Sequence, residues 1–237
     1  DAGAGDVTVT TNGSGGVLVR YRDDEKDPKK TENAIRVGIA KINYNQVAFS
    51  SVGPSVSQDI TRNALLSVLL ASIVIVLYIA FAFRNAPPPV SPWSFGVSAI
   101  IALLHDALLL LGLFSLLGHF FGVQVDSLFV TAVLTVIGFS VHDTIVVFDR
   151  VRENLRRYNK PFDEVVNLSI NETLARSLNT SITVILTLSA LLLFGGESIR
   201  LFVFALLVGI ISGTFSSIFN ASPMLVVWNN YKLKRSK

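Results

Sequence analysis

The sequence predicts a polytopic α-helical membrane protein with a small α+β domain outside the membrane. Of its 237 residues, 51% are hydrophobic and 16% are charged, and the mean hydropathy is +0.55. Soluble domains are more polar than this. Residues 1–61 are mixed and polar, whereas later apolar runs are long enough to cross a hydrocarbon core of about 30 Å. We therefore predict an α+β domain at residues 1–61, a transmembrane bundle at 62–228 and a basic tail at 229–237.

The polar domain shows strand and helix patterns in alternation. Short β-branched runs predict strands at residues 7–10, 16–21 and 46–52, and apolar residues at helical spacing predict a helix at 31–42. So short a domain buries little surface. We expect residues or a partner chain outside this sequence to complete it.

Five transmembrane spans are predicted from the apolar runs and the breaks between them. They lie at residues 63–83, 93–117, 127–148, 178–194 and 199–227. The fourth reaches a comfortable length if its helix begins near Thr173 and holds Arg176 at the interface. Residues 161–170 predict a separate short helix lying along the membrane surface.

Basic residues set the predicted orientation. They follow the first, third and fifth spans: Arg84, Arg150, Arg152, Arg156, Arg157, Lys160, Lys232, Lys234, Arg235 and Lys237. The positive-inside rule places these loops and the C-terminus in the cytoplasm, and the N-terminal domain outside. The chain begins at Asp1 with no signal region, so we expect an upstream transmembrane helix to carry that domain across the membrane.

Two neighbouring spans each contain a His-Asp pair within otherwise apolar sequence. The second span contains His105 and Asp106, and the third contains His142 and Asp143. A charge near the bilayer centre costs about 2.5–3.5 kcal/mol, so such groups usually face a cavity, a partner or an ion path. Carboxyl and imidazole groups can exchange protons near neutral pH in such surroundings. We interpret these residues as candidates for a proton relay.

A structural role is the alternative for the two acids. Asp106 and Asp143 would then be buried, permanently neutral and hydrogen-bonded to backbone or to hydroxyls such as Ser140 and Thr144. For Asp143 we favour a functional role, because Arg176 supplies a candidate cation.

Polar residues recur at steps of three and four into the fourth span. They are Thr173, Arg176, Thr180, Thr183 and Thr187. Such spacing places them on one helix face, where they would line a wet path or bridge to Asp143. The alternative is that each threonine bonds back to its own helix.

Small residues four apart, Gly209, Gly213, Ser217 and Ala221, mark the fifth span. They indicate close helix packing rather than a substrate site. We expect Pro223 to bend or end this helix.

Composition and motifs exclude several function classes. The sequence has no Cys, so it has no disulfide and no thiol metal or redox site. It shows no metal cluster, phosphate loop or nucleophile elbow. We therefore expect no enzyme activity, no metal and no cofactor other than protons as the coupling ion. The basic residues adjoin spans in the lipid membrane, so we expect no nucleic-acid partner.

Several segments carry a family resemblance. Residues 138–154, which contain His142 and Asp143, resemble the signature of SecF, the protein-export membrane subunit that works with SecD. Residues 171–181, His105-Asp106 and Val52-Gly53-Pro54 also match. The resemblance implies a resistance-nodulation-division fold with six helices per half, of which the first is missing here. It fits a separate SecF and the SecF half of a fused SecDF equally well.

The resemblance implies an accessory role in Sec protein export, with the proton-motive force helping to complete preprotein translocation across the bacterial inner membrane. It implies SecD, the SecYEG translocon, YajC or YidC, and unfolded preprotein as partners. Asp143 would be the proton-carrying acid, Arg176 its charge partner and Thr180 a supporting hydroxyl. His142 stands where the family often has Asn, and we expect it to assist the relay. The alternatives are a proton-coupled small-molecule exporter and a structural scaffold of the translocon.

Overall fold

The computed structural model of the protein describes residues 5–11, 17–22, 37 and 54–235. The chain divides into two compact units. The first contains the two strands, and the second contains residues 59–195 and 200–237, which are mostly helical where described. The domain boundaries expected from the sequence stay predictions.

The strands β1 (Gly5–Thr11) and β2 (Val17–Arg22) pair as a two-stranded antiparallel sheet. Both are rich in β-branched residues, which favour extended backbone. The first two predicted strands are thus confirmed. The predicted helix at residues 31–42 and strand at 46–52 lie outside the described residues, apart from Val37, which is helical. The α+β assignment as a whole stays a prediction.

The described residues from 54 onward form six α-helices and one π-helical turn. In chain order they are α1 (Pro54–Ala82), α2 (Pro92–Phe121), α3 (Ser127–Arg157), α4 (Phe162–Phe194), α5 (Glu197–Ser216), the π turn (Ser217–Ala221) and α6 (Ser222–Arg235). Five segments are long and apolar enough to cross a membrane, because α5, the π turn and α6 form one apolar run. The prediction of five spans is confirmed.

Local hydrogen bonds fix the ends of α2 and α3. Ser91 and Ser94 form a reciprocal capping box, and Pro92 occupies the first turn of α2. Gly122 ends α2 with a φ of 67°, a left-handed conformation that glycine adopts without strain. The Asp126 side chain accepts backbone N–H bonds at the start of α3. These caps fix where α2 and α3 begin or end, and therefore how far from the helix end each His-Asp pair lies.

The fourth predicted span differs from the structure in where its helix begins. α4 is one helix of 33 residues, so the separate surface helix at 161–170 and a start near Thr173 are wrong. The sequence has no Gly or Pro between Phe162 and Phe194, so nothing interrupts the backbone hydrogen bonds. Val165 and Ser169 in its first turns are buried, so the N-terminal part of α4 packs against the other helices. A helix of this length spans about 50 Å and outreaches the hydrocarbon core.

α5 approaches α3 closely through its glycines. A Cβ atom at Gly209 would overlap the Val136 side chain, and one at Gly213 would lie 3.0 Å from Cβ of Ser140. The small residues therefore permit a contact that larger side chains would block. Their interpretation as a packing ridge is confirmed.

Pro223 does not end its helix, contrary to one of the two expected outcomes. The π turn Ser217–Ala221 precedes it, and α6 continues to Arg235. The Ser222 hydroxyl donates to the Ser217 carbonyl at 3.3 Å. A wider turn of this kind accommodates a residue that cannot donate a backbone hydrogen bond.

Candidate functional site

Asp143 lies on the buried face of α3, where it is only 2% exposed. Ser140, Thr144 and Val147 share this face. The Oδ2 atom of Asp143 has no hydrogen-bond partner among the described residues. Its Oδ1 atom lies 3.8 Å from Nδ1 of His142, whose side chain is 68% exposed. A buried polar atom without a partner costs about 1–3 kcal/mol, so stability alone does not explain this carboxyl.

A hydroxyl group of α4 lies next to Asp143 and connects it to α5. The Ser181 hydroxyl of α4 lies beside the carboxyl. It shares a hydrogen bond of 2.6 Å with Thr214 of α5, which itself donates to the Ile210 carbonyl at 2.9 Å. Asp143 thus faces a neutral hydroxyl of α4, which is itself bonded to α5.

Asp106 on α2 is the second buried carboxyl, and it is fully enclosed, with 0% exposure. The Ser140 hydroxyl donates to its Oδ2 atom at 2.6 Å, and the Ser212 hydroxyl donates to Oδ1 at 3.1 Å. Nδ1 of His105, whose side chain is 44% exposed, also lies 3.1 Å from Oδ1. Both oxygens of Asp106 therefore have partners, drawn from its own helix, α3 and α5.

Ser140 connects Asp106 to the π turn. Its carbonyl accepts a hydrogen bond from the Ser217 hydroxyl at 2.9 Å. The Thr144 hydroxyl lies 3.0 Å from both the Ser140 carbonyl and the Ser217 hydroxyl. The predicted residues Asp106, Ser140 and Thr144 thus belong to one network, and Asp143 lies one turn along α3 from Ser140.

Neither carboxyl has a strong cation beside it. Within the part of the chain that the structure describes, the ion pairs of Asp106 and Asp143 are with the neighbouring histidines alone. An ionised carboxylate in apolar surroundings needs a cation or several donors. Hydroxyls stabilise a protonated carboxyl as well as an ionised one, because they both donate and accept. The arrangement suits groups that take up and release protons.

On the predicted polar face of α4, Thr173 is buried, Thr180 is half-buried, and Arg176, Thr183 and Thr187 are exposed. The Thr180 hydroxyl donates to the Arg176 carbonyl at 3.0 Å, and Thr183 donates to the Thr180 carbonyl at 2.7 Å. These are the helix back-bonds of the alternative interpretation. Arg176 is exposed, and the structure does not bring it to Asp143. The roles of Arg176 and Thr180 stay predictions.

Sequence reasoning missed the hydroxyls that do contact the site. Ser181 lies at Asp143 and bonds Thr214, and Ser212 binds Asp106. A signal for Ser181 exists in the sequence: Ser169, Thr173, Ser177 and Ser181 are spaced by four residues. That spacing also defines a helix face, and it is the face that α4 buries.

A second polar cluster joins the far ends of α3 and α4. Nδ2 of the buried Asn154 donates to the Ser169 hydroxyl at 3.1 Å and to Oε2 of Glu172 at 2.8 Å. Arg150 donates to the same Glu172 oxygen at 2.6 Å and to Glu153 at 2.6 Å. This cluster lies near the end of the antiparallel helix pair that holds the C-terminus of α3 and the N-terminus of α4. Asp143 lies further along the same pair.

The comparisons with known proteins agree on the family. The profile of the family described as "Protein export membrane protein SecD/SecF, C-terminal" matches residues 32–231. The chain belongs to this family. Like its relatives in the SecD/SecF family, it has several apolar helices, and it is a multi-pass membrane protein.

Relatives in the SecD/SecF family match most of the chain. The protein translocase subunit SecF of Thermobaculum terrenum is 52% identical over 223 residues, which are 94% of this chain and 69% of that protein. SecF of Anaerolinea thermophila is 43% identical over 97% of this chain and 74% of that protein. The crystal structure of SecDF, a translocon-associated membrane protein from Thermus thermophilus, matches with a TM-score of 0.77 and 35% identity. That match covers 95% of this chain and 29% of the SecDF chain.

Proposed function

We propose that this chain is an accessory subunit of the Sec protein-export machinery that uses the proton-motive force to help complete preprotein translocation. Membership of the SecD/SecF family supports the role in protein export. The observation that carries the proton coupling is Asp143, a buried carboxyl with one oxygen unpartnered among the described residues. An acid inside a membrane span is a functional group by default.

Proton movement through Asp143 supplies the energy. One charge crossing a membrane potential of 100 mV releases about 2.3 kcal/mol. That energy drives a conformational cycle only if protonation favours one helix packing over another. The described packing, in which Asp143 faces hydroxyls, suits the protonated and neutral form.

The ionised form of Asp143 requires a different packing. Without a cation nearby, a buried carboxylate is strongly disfavoured. Arg176 is the cation that α4 carries closest in sequence to Ser177 and Ser181, which lie on its buried face. In the deprotonated state, a shift of α4 brings Arg176 to Asp143, and reprotonation releases it. This cycle moves the domains outside the membrane, which retain the emerging preprotein.

In the assembled complex, a SecD-type partner covers the exposed polar residues of α3 and α4. His142 on α3 and Arg176 and Thr183 on α4 are exposed in the isolated chain. Such groups are expensive against lipid, whereas a neighbouring helix can satisfy them. A relative in Thermus thermophilus is named as a fused SecDF. SecYEG and YajC or YidC complete the proposed assembly in the inner membrane, with residues 1–61 outside and the C-terminus in the cytoplasm.

Proton-gradient-driven completion of preprotein translocation tests this function. The measurement uses membrane vesicles that contain the full Sec complex with native protein, Asp143→Asn or the control Asp149→Asn. Asp149 lies on the same helix but is exposed, with its side chain paired to Arg152. We expect Asp143→Asn to assemble and to lose the gradient-dependent part of the rate, while the control keeps it. An unchanged rate in Asp143→Asn would make that acid structural and favour the scaffold.

A further inference from the structure

The buried face of α4 carries a ladder of hydroxyl groups that leads away from Asp143. Ser169, Thr173, Ser177 and Ser181 follow at every fourth residue, and all four are buried. Side chains four apart lie one above the other on a helix, so these hydroxyls form a continuous line. We call this line the hydroxyl ladder.

Both ends of the hydroxyl ladder meet polar groups of α3. Ser181 lies beside Asp143, and Ser169 accepts a hydrogen bond from Asn154 at 3.1 Å. These two contacts share one antiparallel register, which places the middle of the ladder opposite Val147 and Val151. Both valines are fully buried. The ladder therefore runs through an apolar helix interface and ends at the cluster around Asn154.

Three buried polar atoms along this interface have no hydrogen-bond partner among the described residues. They are Oδ2 of Asp143, the hydroxyl of Ser177 and Oδ1 of Asn154. One other such atom in that part of the chain is the hydroxyl of Ser98, on α2. Buried polar groups in native proteins are satisfied by protein or by ordered water. Their concentration at one interface points to a shared ligand that donates and accepts.

The spacing of the hydroxyl ladder fits single water molecules. Four residues of α-helix rise by about 6 Å, which is too far for two hydroxyls to bond directly. Two consecutive hydrogen bonds of about 2.8 Å, with one water between them, cover that distance. Ser169 and Thr173 donate to backbone carbonyls at 2.7 and 2.8 Å, and their oxygens still accept from water.

We propose that the α3–α4 interface binds a chain of water molecules along Thr173 and Ser177, and that this chain conducts protons between Asp143 and the Asn154–Glu172 cluster. The proposal rests on the function proposed above and names the path on one side of the acid. Glu172 marks the outer end of this path, because its side chain is 27% exposed and is bonded to Asn154.

Thiol reactivity tests the water chain without measuring transport. These 237 residues contain no Cys, so Ser177→Cys and Ala132→Cys can be compared in the full complex by the mass of the modified peptide. Ala132 is a fully buried residue of α3. A cysteine thiolate attacks the small neutral reagent methyl methanethiosulfonate, forming a methyl disulfide and releasing methanesulfinate. The thiolate does not form in dry apolar surroundings. We expect Ser177→Cys to react at least about tenfold faster than Ala132→Cys; equal slow rates would overturn the proposal.

Proton flux into vesicles tests conduction. The double variant Thr173→Val with Ser177→Ala removes two hydroxyls with little change of volume. Thr131→Val with Thr135→Val makes the matched change on the exposed face of α3, where both hydroxyls bond back to the helix. We expect the ladder variant to slow proton flux by about tenfold or more, as loss of a proton-transfer group does, and the matched variant to keep the native rate.

The two failures are distinguishable. Native flux in the ladder variant, together with loss of flux in Asp143→Asn, would overturn the path and leave the proposed function standing. Native flux in Asp143→Asn would overturn the function itself. If the ladder variant misfolds, the thiol comparison still decides the proposal, since Ser177→Cys replaces one oxygen by sulfur.

Discussion

Asp106 and Asp143 are two carboxyls at similar depth in one bundle, yet their surroundings differ. Asp106 is enclosed, and both its oxygens are hydrogen-bonded, to Ser140, Ser212 and His105. Asp143 is almost as deeply buried, but its Oδ2 atom has no partner among the described residues. A carboxyl group whose two oxygens are both hydrogen-bonded ties helices together, and a new hydrogen bond to it would require breaking an existing one. A carboxyl group with an unpartnered oxygen can bind a proton or a new hydrogen-bond donor without breaking an existing bond.

The two acids look alike in sequence, and the structure distinguishes them by their hydrogen bonds. Both acids follow a histidine whose side chain is substantially exposed. The two acids also share helix α5, since Ser212 bonds Asp106 and Thr214 lies in the chain of hydroxyls that reaches Asp143. Helix α5 therefore bonds Asp106 directly and reaches Asp143 through Ser181.

The largest expected effect is functional. Asp143→Asn removes the acid that we propose carries the proton, and we expect it to lower gradient-dependent translocation by about tenfold or more. Asp106→Asn keeps one oxygen to accept from Ser140, and we expect a rate within about twofold of native. Translocation in vesicles at matched expression measures both. Equal losses of translocation rate in the two variants would contradict the different roles expected for Asp143 and Asp106.

Folding stability should show the reverse order. Asp106→Ala leaves the Ser140 and Ser212 hydroxyls without their acceptor, and we expect a loss of about 2–4 kcal/mol. Asp143→Ala removes an unpartnered atom and leaves a small cavity, so we expect about 1 kcal/mol. Unfolding of the full-length protein by titration with SDS measures the two values. A larger loss for Asp143→Ala would contradict the assignment of Asp106 as the structural acid.

Gly209 tests the contact through which α5 serves both acids. Gly209→Ala introduces a methyl group that overlaps Val136, and we expect a loss of about 1–3 kcal/mol from overpacking. Gly138→Ala on α3 is the control, because a Cβ there meets no atom within 4 Å. Alanine favours helix over glycine, so the control should be neutral or stabilised by up to about 1 kcal/mol. The SDS titration compares the two variants.

The smallest effect concerns single hydroxyls. Ser140→Ala removes a donor from Asp106, and we expect a loss of about 1–2 kcal/mol. Ser177→Ala removes a hydroxyl that has no partner among the described residues, so we expect a change within about 0.5 kcal/mol. Thermal unfolding of both variants in the same detergent gives the comparison. A substantial loss in Ser177→Ala would mean that its hydroxyl already has a strong protein partner.

The sequence predicts the spans well because membrane-crossing length is a local property. Apolar runs and the breaks between them, such as the one at Gly195 and Gly196, are readable without knowing any tertiary contact. The two His-Asp pairs are likewise conspicuous, since charges within apolar runs are rare. These features led to both buried acids.

The inner face of α4 could not be chosen from the sequence. Two polar lines share Thr173: one continues through Arg176 and Thr180, and the other through Ser177 and Ser181. Both have helical spacing, and the lipid-facing residues around them are as apolar as the buried ones, so hydropathy does not separate the faces. Packing against α3 decides between them, and it buries the serines.

The joined length of α3 and α4 has a mechanical consequence. From Asp143 to the end of α3 at Arg157 the helix extends about 21 Å, and hydrogen bonds from Asn154 and Arg150 lock α4 to it. These bonds join the two helices at this end only, so a tilt of the joined end about Asp143 moves both helices together. A tilt of about 10° displaces the loop at residues 158–161 by about 4 Å. A distance probe on this loop would register a protonation event that moves the acid itself very little.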